Sequence, residues 1–292
     1  MPRFSRYLIL LILLPIFSYS QGLKLVEEHP FENVYIQYNV LASNAKIRQG
    51  IYQKFLTASR KLVEEGYYKS GEKDSLWVNY NILGDTTEKG YYSNGLKNGY
   101  WKKWSFPFGN RVLIREGNYK NDLRVGIWTF RKADGSLDHK YDYSTARVTD
   151  YGKTDDASTI IDGKDTVAAI LEKPPVHIGG MDTLYEILAR NIRVPVEVKR
   201  GKVDDFHYRV FVSIIVDETG RLVDYKIARG SNKACNNEAL RVIKLWDDGN
   251  WVPGNYKGRT VKVVILVPVV FNMNVNVIDF GPPLPPNARI LH

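Results

Sequence analysis

The run Phe206-His-Tyr-Arg-Val-Phe-Val-Ser-Ile-Ile-Val216, followed by Asp217-Glu-Thr-Gly220, decides the fold of the C-terminal third of the chain. Apolar residues occupy every second position of this run, which predicts a half-buried β-strand. Asp217-Glu-Thr-Gly220 has the composition of a turn, and the apolar positions resume over Leu222–Ile227. The sequence therefore predicts a β-hairpin at this point.

Two helices and one long strand are predicted around this hairpin. Thr183-Leu-Tyr-Glu186 has the spacing of a capping box and starts an amphipathic segment, so a helix is expected there. A second helix is predicted over Asn236–Trp246, where apolar residues recur three positions apart. After a corner at Trp251-Val-Pro-Gly254, the apolar run Val261–Phe271 predicts the last strand.

An ordered set of motifs connects these elements with a known family. The motifs are, in chain order, Gly179-Gly180, Val194-Pro195, Val216-Asp-Glu-Thr-Gly220, Arg229-Gly230, Glu238-Ala-Leu-Arg241, Trp251-Val-Pro-Gly254, and Val267-Pro268 with Phe271. In this order they resemble the TonB C-terminal domain family over residues 174–272. The resemblance implies an α+β domain in which two helices pack on a small three-stranded antiparallel sheet. It also implies binding of a short receptor segment, which is added to the sheet as a strand.

The sequence departs from that of a TonB energy transducer. A transducer keeps an N-terminal membrane anchor and a long Pro-rich segment that spans the periplasm, and neither is expected here. The Tyr-Pro of the family is replaced by Val194-Pro195. The resemblance nevertheless implies candidate partner-binding residues, which are Val194, Pro195, Val261, Val263, Ile265 and Val267.

The last strand supports two interpretations. Pro268 has no N–H to donate to a neighbouring strand, which indicates a sheet edge or a bulge. In the functional interpretation, the free edge around Val261–Val267 accepts a strand of a partner. In the alternative, this is an ordinary edge strand that Pro268 and Lys262 protect against aggregation.

Residues 21–150 contain an internal repeat. Three runs align without gaps, and each begins with Gly and ends with Trp: Gly66–Trp77, Gly90–Trp101 and Gly117–Trp128. Each run predicts two short strands joined by a turn such as Asn94-Gly95. Because a single hairpin cannot bury its aromatic face, stacking of the units predicts a continuous antiparallel β-meander.

The Gly-x-Tyr and Gly-x-Trp pattern resembles MORN-type repeats, and more closely the MORN-like YwqK-type repeats of bacteria, over about residues 50–143. The resemblance implies a scaffold for protein or surface interactions and no reaction. Within the repeats, Trp101-Lys-Lys-Trp104 mixes aromatic and basic residues, which suits stacking on a glycan or nucleic acid. The alternative, that both tryptophans belong to the core face of the repeat, explains the aromatic residues at equivalent positions.

Residues 1–20 have the pattern of a secretory signal peptide. Arg3 and Arg6 precede the short apolar run Leu8–Phe17, and small residues stand before Gln21. The run is too short for a transmembrane helix, so cleavage is predicted and an uncleaved anchor is the alternative. Removing both arginines lowers the formal charge from +9 to +7. This charge favours an anionic envelope surface or simply a mildly basic soluble protein.

The remaining segments carry weaker signals. Residues 151–173 are interpreted as a linker with one short strand or helix, and residues 273–292 as a Pro-rich tail. Cys235 is the only cysteine, so no disulfide can form within the chain, and burial of the thiol is expected.

The sequence contains no catalytic motif and no histidine or cysteine spacing typical of a metal site. Neither an enzyme, a cofactor, a metal site nor a nucleic-acid partner is predicted. The expected function is that of an exported protein of the periplasm or the periplasmic face of the Gram-negative outer membrane. It would bind an envelope protein by strand addition, with a connection to TonB-dependent transport. The alternatives are an adaptor whose repeats bind glycan, lipid or protein, and a transducer component with an uncleaved anchor. Membrane-surface association and a homo-oligomer stay open.

Overall fold

The computed structural model describes residues 22–153, 157–196, 208–230, 232–246 and 249–271. A twelve-stranded antiparallel sheet is followed along the chain by a smaller α+β domain. The predicted signal peptide, residues 1–20, and the predicted tail, residues 273–292, lie outside the described residues. Within the described ranges, neither helix is long and apolar enough to cross a membrane.

The first sheet is a meander in which strands adjacent in sequence are also neighbours in space. Its strands are β1 (Leu23–Phe31), β2 (Val34–Leu41), β3 (Asn44–Leu56), β4 (Leu62–Lys69), β5 (Glu72–Tyr80), β6 (Thr86–Ser93), β7 (Leu96–Lys97), β8 (Gly99–Ser105), β9 (Val112–Lys120), β10 (Leu123–Arg131), β11 (Leu137–Asp142) and β12 (Arg147–Tyr151). The short β7 lies off the main strand order and pairs with β6, and a 3₁₀ turn at Pro107–Gly109 separates β8 from β9. The predicted antiparallel meander is confirmed.

Packing of a tryptophan ring on a glycine explains the repeat pattern. The glycine of each unit lies in one strand, and its tryptophan lies in the next strand with the ring over that glycine. A Cβ built on Gly66, Gly90 or Gly117 would lie 2.2, 2.1 or 2.4 Å from the ring of Trp77, Trp101 or Trp128, respectively. Any side chain at the glycine would therefore overlap the ring. The indole N–H of Trp101 also donates to the carbonyl oxygen of Tyr91 at 3.0 Å.

Aromatic and cationic side chains join the tryptophans into one ladder. Tyr92 lies between Trp77 and Trp101, with ring centroids 5.9 and 5.2 Å away and edge-to-face geometry. A cation four residues before each tryptophan covers its ring: Lys73 and Lys97 place Nζ 3.7 and 3.9 Å from the ring centroids of Trp77 and Trp101, and Arg124 covers Trp128. These cation–π contacts shield the aromatic face from water.

Trp104 does not belong to this ladder. Side chains three positions apart on a strand point to opposite faces, so Trp104 leaves the sheet on the side opposite Trp101. Trp101 is buried, whereas Trp104 is half-buried beneath the guanidinium of Arg111, 4.4 Å from its ring centroid. The interpretation that both tryptophans form the core face is wrong for Trp104.

The second part of the chain contains two helices and eight strands among the described residues. These are β13 (Ser158–Asp162), β14 (Asp165–Ala169), β15 (Val176–His177), α1 (Met181–Asn191), β16 (Tyr208–Val216), β17 (Leu222–Arg229), α2 (Lys233–Lys244), β18 (Trp251–Val252), β19 (Gly254–Tyr256) and β20 (Arg259–Phe271). The order across the main sheet is β14-β13-β20-β16-β17, and β19 also pairs with β20.

This sheet corrects two sequence-based expectations. The predicted three-stranded sheet corresponds to β16, β17 and β20, but the described part of the chain contributes six strands to this sheet. The additional hairpin, β13 and β14, comes from residues 151–173, which were interpreted as a linker. In β13, Thr159, Ile160 and Ile161 pair with Val264, Val263 and Lys262 of β20, and Ile160 is fully buried. The segment is thus part of the C-terminal sheet.

The helices are present, although their starts differ from the prediction. Gly180 precedes α1 and no side chain caps this helix; the Thr183 hydroxyl donates to the carbonyl oxygen of Gly179 at 2.9 Å. The predicted capping box is therefore wrong. Helix α2 begins at Lys233, three residues before the predicted start, because the Asn232 side chain accepts from the Cys235 amide at 3.0 Å.

Both helices pack on one face of the β16–β20 pair. The core between them contains Leu184, Leu188, Ala239, Val242 and Ile243 from the helices and Val210, Val212, Ile214, Val267 and Val269 from the strands. Cys235 is fully buried in the same core, as expected. Trp246 and Trp251 close one end, with ring centroids 5.0 Å apart.

A Gly90→Ala substitution tests the packing that defines the repeats. The added methyl group overlaps the Trp101 ring, so we expect the substitution to lower the free energy of unfolding by about 1–3 kcal/mol. The urea midpoint, followed by tryptophan fluorescence, measures the loss. Gly22→Ala is the control, because the nearest atom to its new methyl group lies at an ordinary 3.5 Å. Equal midpoints for the two variants would contradict this account of the glycine.

Candidate functional site

The candidate site is the outer side of strand β20, the longest strand of the C-terminal sheet. On its inner side, β20 pairs with β16 without interruption, from Val263↔Val216 to Phe271↔Tyr208. The register passes through Pro268↔Phe211 without a shift, so Pro268 introduces no bulge between these strands. One side of β20 is therefore closed along nearly its whole length.

Part of the outer side is also closed, because residues 262–264 pair there with β13. The preceding residues Arg259, Thr260 and Val261 pair with β19. Val261 and Val263 are buried in a small cluster with Ile160, Ala169 and Leu171. The predicted docking edge at Val261 and Val263 is therefore corrected: backbone groups there already have partners within the chain.

The second half of the outer side is open. Among the described residues, no strand pairs with this side of β20 from Ile265 to Phe271. Of the predicted site residues, Ile265 and Val267 lie on this open half. Val267 is fully buried against the helices, and Ile265 is partly buried against the same core. Both side chains therefore pack in or against the core, and their part in partner binding stays a prediction.

The side chains of the open half divide between the two faces of the sheet. Val267, Val269 and Phe271 point into the helix-covered core, whereas Leu266 and Val270 are half-buried on the other face. An added strand would find apolar neighbours on both faces, which is the arrangement that allows main-chain pairing with side-chain selectivity.

Val194 and Pro195 occupy a different place from the open edge. They follow the end of α1, and Val194 packs against the core between the helices and the sheet. The neighbouring Arg193 amide donates to Glu238 of α2 at 2.7 Å, which fixes this turn. The structure therefore assigns Val194 a packing position, and the sequence-based prediction of partner binding there is untested.

A buried ion cluster joins the domain to the repeats, and sequence reasoning missed it. Arg115 of β9 is buried and reaches two carboxylates of α1: Nη1 lies 2.7 Å from Asp182 Oδ2 and Nη2 lies 2.9 Å from Glu186 Oε1. Lys103 of β8 contacts the same Glu186 oxygen. The partners lie more than 60 residues apart in sequence, so no local spacing could reveal the cluster.

Apolar and hydrogen-bonded contacts surround this cluster. Ile178 and Val252 pack against the aromatic residues that end the repeat ladder. A Cβ on Gly180 would lie 2.7 Å from the Phe130 ring, so α1 begins in direct contact with β10. The Tyr143 hydroxyl accepts from Arg124 at 2.8 Å and donates to the Ile178 carbonyl at 3.1 Å. These contacts fix the domain against the last repeat.

The described residues contain no group of three or more His, Cys, Asp or Glu side chains that could hold a metal ion. Burial and contacts within the fold cause the pKa shifts of the titratable side chains. Burial, followed by the positive charge of Arg115, lowers the pKa of Lys103 from its ordinary 10.5 to about 8. Lys103 therefore lowers stability while it is charged.

The pH dependence of stability tests the Lys103 environment. Below pH 8 both states carry the charge, and the burial cost is complete. Between about pH 8 and 10.5 the folded state releases its proton first, so the unfolded state binds more protons and stability rises with pH. We expect the melting temperature of the wild type to rise relative to Lys103→Met between pH 7.5 and 10. Lys102→Met, on the opposite face of β8, is the control. If the difference in melting temperature between the wild type and Lys103→Met stayed constant over this pH range, the lowered pKa of Lys103 would be contradicted.

Comparisons with known proteins agree with the C-terminal fold. Residues 206–273 match the family described as the Gram-negative bacterial TonB protein C-terminal. The match includes β16, β17, α2 and β20, and thus the open edge, whereas α1 and the hairpin of β13 and β14 precede it. No curated protein matches the chain. Residues 206–273 are therefore similar to a TonB C-terminal domain, which indicates a TonB-like envelope protein with a role in protein interactions.

Proposed function

We propose that the protein binds a segment of another envelope protein, which adds as a strand to the open half of β20. The observation that carries the proposal is the unequal pairing of β20: its outer side is paired with β13 over residues 262–264 and open among the described residues from Ile265 to Phe271. Free N–H and C=O groups on an edge strand are a template for another chain. Pro268, in the middle of this half, supplies only its C=O group.

The open edge limits the size of the segment it can accept. Seven residues, from Ile265 to Phe271, are available. At about 3.3 Å per residue, they offer roughly 20 Å of edge. This length suits a short extended segment of a receptor and excludes a long strand, because β13 blocks further extension at Val264. Apolar residues at alternate positions of the segment would contact Leu266 and Val270.

The similarity to TonB domains supports an outer-membrane receptor as the partner and a role connected with transmembrane transport. The periplasm, or the periplasmic face of the outer membrane, is the location that suits this partner. A signal peptide at residues 1–20 is part of this proposal and is supported by the sequence pattern. N-terminal sequencing of the mature protein tests it: a start at Gln21 supports export after cleavage, and a retained Met1 would contradict it.

Site-specific photo-crosslinking tests the proposed edge in the full chain. A photoreactive phenylalanine analogue at Val270 lies on the open half of β20, and the same analogue at the exposed Val223 of β17 lies on the opposite edge of the sheet. We expect Val270 to crosslink to an outer-membrane receptor identified by mass spectrometry, and Val223 to give no such product. Equal products from both positions, or none from Val270, would refute strand addition at β20.

A disulfide between β13 and β20 tests whether the part of β20 that pairs with β13 also binds the partner. Thr159 and Val264 are register partners, so Thr159→Cys with Val264→Cys suits a disulfide that locks β13 in place. Binding along Ile265–Phe271 alone leaves β13 in position, and we expect the Val270 crosslink to be unchanged by oxidation. The reduced double variant is the control. Loss of the crosslink only after oxidation would show that the partner displaces β13.

A further inference from the structure

One face of the repeat sheet carries a regular row of exposed apolar side chains. The face that holds the tryptophan ladder is buried, and alternation places the residues between the ladder positions on the opposite face. The residue after the glycine and the residue before the tryptophan of the units form the row. Its apolar members are Ile51, Tyr67, Leu76, Tyr91, Tyr100 and Ile127, and the polar Asn118 stands between Tyr100 and Ile127. The exposed fractions of the apolar members range from 38% to 58%. We call these six apolar residues the outer row.

The outer row is long and narrow. It crosses the strands from β3 to β10, and with neighbouring strands about 4.8 Å apart it extends roughly 29 Å. It is narrow, because most residues two positions further along the strands are polar. On one side, Glu65, Lys89, Lys102 and Glu116 form a flanking line, with the buried Val78 in register between Glu65 and Lys89.

The shape and charge of the outer row argue against three kinds of binding partner. An anionic membrane surface requires an excess of cations. The flanking positions on the two sides of the row hold nearly balanced charge, with lysines at 69, 89, 102 and 120 and carboxylates at 65, 74 and 116. A second copy of the chain requires about 800 Å² per partner for a stable interface. Six half-exposed side chains offer roughly 600 Å² at most, given about 200 Å² for a complete aromatic side chain. A second copy would therefore also have to bury the charged flanking residues, which is unfavourable unless they are paired. An extended peptide lying across the strands would leave its backbone groups unpaired.

We propose that the outer row binds an uncharged, extended, β-linked glycan chain that lies across the strands. The apolar C–H faces of successive sugar rings would stack on the exposed side chains, whose spacing is set by the strands. The hydroxyl groups at the ring edges would hydrogen-bond to the flanking Glu65, Lys89, Lys102 and Glu116. A linear polymer with alternating apolar faces and polar edges matches a narrow apolar row between polar lines.

Neighbouring side chains hold the Tyr100 ring at the centre of the row. Tyr91 and Tyr100 lie on the adjacent strands β6 and β8. The Tyr100 hydroxyl donates to Glu116 Oε2 at 2.9 Å, and Lys102 Nζ lies 5.5 Å from the Tyr100 ring centroid. These contacts hold the ring in place before a ligand arrives, which lowers the entropic cost of binding. Tyr91 and Tyr100 are therefore the residues to test.

Titration calorimetry of the full mature chain with chitohexaose, a neutral β-1,4-linked hexasaccharide, tests the proposal. We expect binding by the wild type, and a loss of roughly tenfold or more in affinity for the double variant Tyr91→Ala with Tyr100→Ala. The double variant Tyr91→Phe with Tyr100→Phe keeps the rings and should bind within a few-fold of the wild type. Leu83→Ala, which removes an exposed apolar side chain from a turn outside the row, should bind like the wild type.

Two further measurements separate binding from folding and self-association. Circular dichroism and thermal unfolding establish that the variants fold, and any variant that unfolds is replaced by Tyr91→Ser or Tyr100→Ser alone. Light scattering after size-exclusion chromatography measures the mass of wild type and variants. Absence of binding to chitohexaose, or binding that is insensitive to the alanine pair, overturns the proposal. So does a wild-type dimer that the alanine pair converts to a monomer, because the row would then bind a second copy.

Discussion

The structure depends on the contact between a tryptophan ring and a glycine one strand away. In each unit the ring covers the glycine of the preceding strand, where a Cβ would overlap the ring. The edge of each ring then packs against a tyrosine of the next unit, as Trp77 packs against Tyr92. A single unit cannot supply this second contact, so stacking of the units completes the packing. Stacking in turn fixes the spacing of the side chains on the other face, including the outer row.

An array of this kind needs a cover at its end, because the last unit has no following neighbour. The C-terminal domain supplies it. Phe130 stacks on the buried His139 with ring centroids 4.6 Å apart, and Ile178 and Val252 of the domain pack over this region. Asp182 and Glu186 lie in α1 and neutralise the buried Arg115 of the array. The two parts of the chain are therefore connected by a packed and charged interface as well as by the backbone.

The predictions from sequence succeeded where the determining contacts are local. The constant Gly-to-Trp spacing predicted the meander. Strict alternation of apolar residues over Tyr208–Val216 predicted the first strand of the C-terminal hairpin. They failed where residues distant in the sequence determine the local structure. Ser158–Asp162 is too short and polar to be recognised as a strand until β20, about 100 residues later, pairs with it. Thr183 and Glu186 have capping-box spacing, yet Glu186 instead binds the distant Arg115 and Lys103. The open part of β20 was misplaced for the same reason.

The division of β20 into a closed and an open half has a mechanical consequence. The closed half holds the hairpin of β13 and β14, which follows the last strand of the repeats, and the helices over the open half carry the ion cluster that binds Arg115. A strand added along Ile265–Phe271 would therefore pair with a sheet that is tied to the array at two places. Within the proposed function, a bound receptor segment would be held at a fixed position relative to the outer row. Such a chain suits a protein that joins two envelope components better than one that moves between them.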